Sequence, residues 1–196
     1  MKDFVYLASQ SPRRRQLLEQ IGVRYELLLA ASDEDAESLE RVMPSEAPLA
    51  YVKRVTQLKL EAAVLRLQLR QLPPAPVLCA DTTVALGRDI LGKPENEQDA
   101  VRIIKTLSGQ THRVLTAVAV ASGQRRLLSV SISKVSFAPM KLSEIKAYVA
   151  TGEPFGKAGA YGIQGLAAAH ISAIQGSYTG IMGLPIFETA QLLKQL

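Results

Sequence analysis

Three consecutive arginines, Arg13, Arg14 and Arg15, follow a Ser-Gln-Ser-Pro turn at residues 9–12. The turn reads as the start of a helix, whose first N–H groups are unpaired and carry partial positive charge, so three guanidinium groups there conflict with the helix. A phosphate bound by those N–H groups, the Ser9 and Ser11 hydroxyls and the arginine forks would relieve the conflict; a solvated basic turn is the other reading. Asp81 poses the converse problem, because it lies in the apolar run PVLCADTTVAL. A carboxylate there is costly unless it is paired, protonated or holding a cation. It can bind Mg2+ or Mn2+ or take a proton from water, or it can be a turn or cap ending a shorter strand.

Further groups could join them. The stretch SDEDAE offers Asp33, Glu34 and Asp35 after a strand, either as partners of Asp81 around a hard cation or as an exposed acidic loop. Lys93, in LGKPEN, is a phosphate contact or a surface lysine. The segment GKAGAYGIQG (156–165) lets a ligand approach the backbone closely and presents the Gln164 amide to a base edge, unless it is only a flexible loop. Neither GxxxxGK[ST] nor GxGxxG is present, so the two commonest nucleotide-binding folds gain no support. His112 and His170 lack metal-ligand spacing, and Cys79 reads as a buried thiol; all three are taken as structural.

The elements that must position these residues are legible as a pattern. FVYLAS (4–9) reads as a strand, followed by a helix that begins at Pro12 and stops at Gly22, and VRYELLLAAS reads as a second strand. A helix from about Leu49 to Gln71 carries Val52, Val55, Leu58, Ala62, Leu65 and Leu69 on one predicted face. VLCADTTVAL is a strand, GRDILGKPEN a turn-rich connection, and EQDAVRIIKTLSG a helix closed by Gly109. THRVLTAVAVAS and RLLSVSISKVSFA form a hairpin around Gly123 and Gln124. LSEIKAYVATG is a short helix, a strand pair is expected around Ala168–Ile174 and Tyr178–Met182, and a helix follows Pro185.

Composition sets outer bounds. The 196 residues suit one domain, and 47% hydrophobic with 21% charged residues is ordinary globular usage. The net charge of +5 would suit a polyanion, but four Phe, six Tyr and no Trp supply a single-strand nucleic-acid groove poorly. With one cysteine, no secretory h-region and no long apolar run, the expectation is a soluble, reducing, cytoplasmic protein.

Taken together, LASQSPRR (7–14), ADTTV (80–84), LGKP (91–94), LSGQTHRVLTAV (107–118), AGAYGIQG (158–165) and GSYTGIMGLP (176–185) resemble, in order, the Maf family of nucleoside triphosphate pyrophosphatases. GAYGIQG resembles the branch acting on dTTP and UTP and differs from the branch acting on 7-methyl-GTP. The resemblance implies one Maf-like domain over 1–196, with a mixed α/β fold in which a bent sheet and flanking helices form a two-lobed cleft, as in inosine triphosphate pyrophosphatase-like proteins. It implies hydrolysis between the α and β phosphates with a divalent cation, Mg2+ or Mn2+, in a homodimer; no stable nucleic-acid partner and no membrane contact are expected from the composition. Asp81 matches the general base, and Asp81 and Glu34 the metal-binding acids, with Asp33 beside Glu34 as a rival alignment. Ser9, Arg13, Arg14 and Lys93 match phosphate contacts, and Arg13, Thr82 and Gln164 match base-selecting positions. One departure is Gly156, where the family usually has an acidic residue; Glu153 lies three residues upstream as a substitute. The family has also been linked to inhibition of septum formation, so the alternative is a non-catalytic nucleotide- or nucleic-acid-binding regulator of division.

Overall fold

The computed structural model describes residues 4–31, 34 and 38–196. Asp33 and Asp35, two of the acidic candidates, lie outside the described residues. Apolar runs supply the strands: β1 (Val5–Leu7), β2 (Tyr25–Leu27), β3 (Val77–Leu86), β4 (Asp89–Leu91), β5 (Thr111–Ser122), β6 (Arg125–Phe137) and β7 (Ile171–Gln175). They form one seven-stranded mixed sheet in the order β2-β1-β3-β5-β6-β7, with β4 paired to β3. β1 runs parallel to β2 and β3, while β3, β5, β6 and β7 are antiparallel neighbours. The expected hairpin is β5–β6, turning at Gly123, and the turn-rich connection after β3 contains the short antiparallel strand β4.

The helices are α1 (Pro12–Gln20), α2 (Pro48–Leu69), α3 (Glu97–Leu107), α4 (Leu142–Ala150), α5 (Tyr178–Met182) and α6 (Ile186–Leu193). Alternation along the strands divides the core. Even-numbered positions of β3, such as Leu78, Ala80 and Val84, pack with α1 (Leu17, Leu18), α3 (Ile103, Ile104), α4 (Ile145) and α6 (Leu192). Odd-numbered positions, Val77 and Cys79, pack with Leu60 and Ala63 of α2. Among the described residues, no helix is long and apolar enough to cross a membrane.

Two expectations are corrected. Residues Tyr178–Met182 are a helix and not a strand: Ser177 Oγ accepts the Gly180 N–H at 3.0 Å as an N-cap, and left-handed Gly183 ends the turn. The strand that precedes it begins only at Ile171, after a 3-10 turn over Leu166–His170. The α2 face is also rotated from the expected one. Val52 and Val55 are buried, but Leu58, Leu65 and Leu69 are exposed, and Thr56, Leu60, Ala63 and Arg66 are turned inward. The predicted face took only aliphatic residues, yet polar residues share the inward face because they have partners there.

Candidate active site

Parallel pairing of β1 with β3 places the turn after β1 beside the middle of β3. Tyr6 and Leu7 pair with Val77 and Leu78, so the chain leaving Leu7 passes Ala80 to Thr82 as it enters α1. A cavity of about 520 Å³ opens there, lined by Ser9, Arg13, Arg14, Asp81, Thr82, Lys93 and Gln164. Of the eight residues given roles by the resemblance, these seven therefore converge, and Glu34 is the eighth. Arg15 is not among the lining residues.

On one wall the arginines are held by neutral groups. Arg13 Nε donates to the Met182 carbonyl at 3.2 Å, and Arg14 Nε to the Gly183 carbonyl at 2.8 Å. Arg14 Nη1 donates to Ser9 Oγ at 3.1 Å, and Ser9 Oγ also accepts the Ser11 N–H at 3.2 Å. The carbonyl end of α5 thus orients both guanidinium groups, which gives the GSYTGIMGLP block a role. Burial lowers the proton affinity of Arg13 and Arg14, with nearby Asp81 partly opposing the effect at Arg14. Guanidinium groups stay charged regardless, so the wall presents positive charge that no contacting carboxylate among the described residues neutralises.

The other wall is a chain of alternating charges. Asp81 is 7% exposed, and its Oδ1 accepts from Lys59 Nζ at 2.5 Å. Lys59 also donates to Glu40 Oε1 at 2.7 Å, and Lys93 donates to Glu40 Oε2 at 2.7 Å. Burial alone would raise the Glu40 pKa; Lys59 and Lys93 outweigh it and hold the carboxyl below its ordinary range. The residue brought to Asp81 through Lys59 is therefore Glu40. Glu34 stands one residue back from the cavity: the lining Arg66 grips its carboxylate through Nε and Nη2 at 2.9 and 2.5 Å, and Arg70 approaches at 3.6 Å. The Arg66 bonds, joined by the Ala31 N–H, hold Glu34 down to about 2. Glu34 is not among the lining residues. The reason is Arg66, a guanidinium only 8% exposed, which requires acceptors and takes Glu34 and the Leu28 carbonyl.

Thr82 points to the opposite side of β3 from Asp81, where its Oγ1 lies 3.1 Å from Thr116 Oγ1; Thr116 in turn donates to the Gly180 carbonyl at 2.7 Å. Gly159, at φ 71°, lets the glycine-rich loop press on β3: a Cβ there would lie 2.8 Å from both Val84 methyls. Gly156 also lines the cavity, at φ 71° with open space around it. The Lys157 ammonium donates to the main-chain oxygen of Glu153, so the suggested substitute holds it by carbonyl and not by carboxylate. Burial, reinforced by Arg13, lowers the Lys157 pKa.

The three structural residues sit apart from this chemistry. Cys79 is fully buried, which pushes its thiol up to about 12. His112 is 2% exposed, bonded through Nε2 to Tyr161 Oη at 2.7 Å, and burial brings it down to about 4. His170 is half-buried, and its main-chain oxygen accepts the Ala138 N–H at 2.8 Å.

Among the described residues, no group of three or more His, Cys, Asp and Glu side chains is gathered for a metal ion. Asp81 and Glu40 nevertheless meet around one cation, the Lys59 ammonium, and supply hard oxygen donors. Mg2+ and Mn2+ suit such donors, Mg2+ typically taking one or two carboxylates together with substrate phosphates, so the donor set fits.

Sequence reasoning missed Lys59, Glu40 and Arg66. A signal existed: Val52, Lys59 and Arg66 recur every seven residues, placing two cations on the face of α2 that carries a buried valine. A cation on such a face calls for a buried acid.

Comparisons with known proteins follow the same residues. The Maf family model, described as Maf-like protein, matches residues 4–196. A dTTP/UTP pyrophosphatase of Polaromonas sp. (strain JS666) is 65% identical over 98% of this chain and 95% of its own. Proteins of the same name from Albidiferax ferrireducens and Cupriavidus pinatubonensis are 63% and 61% identical, covering 99% and 100% of this chain and 97% and 98% of theirs. The solved Staphylococcus aureus Ham1 protein aligns with a TM-score of 0.45 and 11% identity over 70% of this chain and 73% of that one.

Proposed function

The chain belongs to the Maf family, and from that membership we propose that it is a dTTP/UTP pyrophosphatase, converting the triphosphate to the monophosphate and pyrophosphate. The observation that carries this reading is a 65%-identical relative of that name, spanning nearly the whole chain. The cavity supports it, with an anion-receiving arginine wall facing a carboxylate chain.

Water attacks the α-phosphorus, its proton passes to Asp81, and the bond from that phosphorus to the α–β bridging oxygen breaks. Arg13 and Arg14 bind the phosphate oxygens, with Ser9 fixing the Arg14 fork, and Lys93 adds charge opposite the leaving pyrophosphate. Lys59 holds the Asp81 carboxylate in place for the water. Arg13, Thr82 and Gln164 select the base, an amide being able both to donate to a pyrimidine carbonyl and to accept from the ring N–H. A bound Mg2+ or Mn2+, held by Asp81 and Glu40, would supply charge neutralisation on the phosphates. A homodimer, implied by the family resemblance, and a cytoplasmic location, expected from the sequence, belong to the same proposal.

Product analysis tests it. With Mg2+ or Mn2+, dTTP and UTP should each yield equimolar monophosphate and pyrophosphate, far faster than CTP, GTP or 7-methyl-GTP, and chelator should stop the reaction. Release of single phosphates, or oligonucleotide binding without pyrophosphate release, would overturn the reading and favour a regulator.

A further inference from the structure

Glu153 lies outside the cavity lining, yet much of the base-facing loop is tied to it. Its Oε1 accepts from Tyr148 Oη at 3.0 Å and from the Ala167 N–H at 3.3 Å, and its Oε2 accepts from the Leu166 N–H at 2.7 Å. Its main-chain oxygen holds the Lys157 ammonium. One residue therefore grips the loop on both sides of Gln164. The fit at Gly165 is close: a Cβ built there would overlap the Glu153 carboxylate, although the backbone, at φ −106° and ψ −157°, is open to any residue. The glycine is required by the carboxylate and not by the conformation. At the inner end, a Cβ on Gly162 would stand 3.5 Å from Lys157 Cε and 3.7 Å from Gln164 Oε1, so the lysine stem and the Gln164 amide flank one point beside the cavity.

We propose that Glu153 is the positioning residue for base selection: its carboxylate fixes the backbone after Gly165, its carbonyl fixes Lys157, and together they give the Gln164 amide one orientation towards the base. The inference rests on the dTTP/UTP reading above and deepens it. A loosely held amide can turn over and offer its donor and acceptor in either order, which accepts cytosine as readily as uracil. A fixed amide cannot.

The test is a double-mutant cycle between Glu153 and Gly165, with kcat and KM measured on dTTP, UTP and CTP. Glu153→Ala should raise KM for dTTP about tenfold, change kcat less than about threefold and cut the dTTP-over-CTP preference about tenfold. Glu153→Gln, which keeps a carboxamide oxygen, should recover part of that preference. Gly165→Ala should reproduce the loss in the wild-type background yet add less than about twofold in the Glu153→Ala background, where the obstruction is gone. An unchanged preference, an equal kcat loss on every base, or full additivity would overturn the proposal. If Glu153→Ala fails to fold, Gly165→Ala reads the same contact with the carboxylate retained. Amide exchange at Leu166 and Ala167 reads the anchor without substrate, and protection surviving Glu153→Ala would also overturn it. Wild-type protein silent on all triphosphates would overturn the dTTP/UTP reading and the selection role together, and the exchange result would still show whether the anchor exists.

Discussion

The two walls of the cavity hold their cations in opposite ways. Arg13 and Arg14 are bound by main-chain carbonyls and a serine hydroxyl, whereas Lys59 and Lys93 are bound by the carboxylates of Asp81 and Glu40. Carbonyls orient a guanidinium without cancelling its charge, so the first wall keeps its attraction for an anion. Carboxylates cancel the ammonium charge beside them, so the second wall is balanced and can exchange a cation or accept a proton. Binding should therefore depend on the arginine wall and chemistry on the acidic chain.

The largest effect is expected at the acidic wall. Asp81→Asn should cut kcat for dTTP by about a thousandfold or more, because an amide cannot take the water proton; near-normal turnover would remove Asp81 from that role. On the other wall, Arg14→Ala should raise KM about a hundredfold while leaving kcat within about fivefold, since it removes a fork that binds the phosphates. A pure kcat loss would blur the division between the walls. Glu40 and Glu34 sharpen it further. Glu40→Gln should cost about thirtyfold in kcat/KM, while Glu34→Gln should cost less than about threefold and instead lower Tm by roughly 5 °C by leaving buried Arg66 short of an acceptor. The reverse pattern would return Glu34 to the catalytic chain.

The last prediction concerns His112, behind the cavity-lining Tyr161. Burial holds it near 4 against an ordinary 6.5, so between those values the unfolded chain binds more protons than the folded one. Its contribution is complete above pH 6.5 and is lost as pH falls towards 4, amounting to about 2 kcal/mol between pH 7.5 and 5. Denaturant titrations at those two pH values should show the loss in wild type and a smaller one in His112→Gln; equal losses would place the effect elsewhere.

What the chain order displays and what it conceals differ for physical reasons. The hairpin at Gly123 and the helix opening at Pro12 were legible because turns and caps are local. Ser9, Arg13 and Arg14 were legible because they lie in the turn and first helical turn that directly follow β1, and Thr82 because it adjoins the carboxylate in an otherwise apolar run. Lys59 and Glu40 were not, since nothing local distinguishes a lysine facing Asp81 from one facing water, and Glu40 is joined to Asp81 through Lys59 of α2. Tyr178–Met182 misled because aromatic and β-branched residues suggest a strand, while the Ser177 cap and the left-handed Gly183 decide for a helix. The ion pair of Glu34 was not legible either, since the buried guanidinium that grips its carboxylate lies 32 residues away.

The most direct measurement compares binding of a non-hydrolysable dTTP analogue with pyrophosphate release from dTTP, on Asp81→Asn and Arg14→Ala side by side. The expected result is a crossed pattern: Asp81→Asn binds within about threefold of wild type yet releases almost no pyrophosphate, while Arg14→Ala binds about a hundredfold more weakly and still turns over at saturation. Parallel losses of binding and turnover in both variants would contradict the division of labour between the walls.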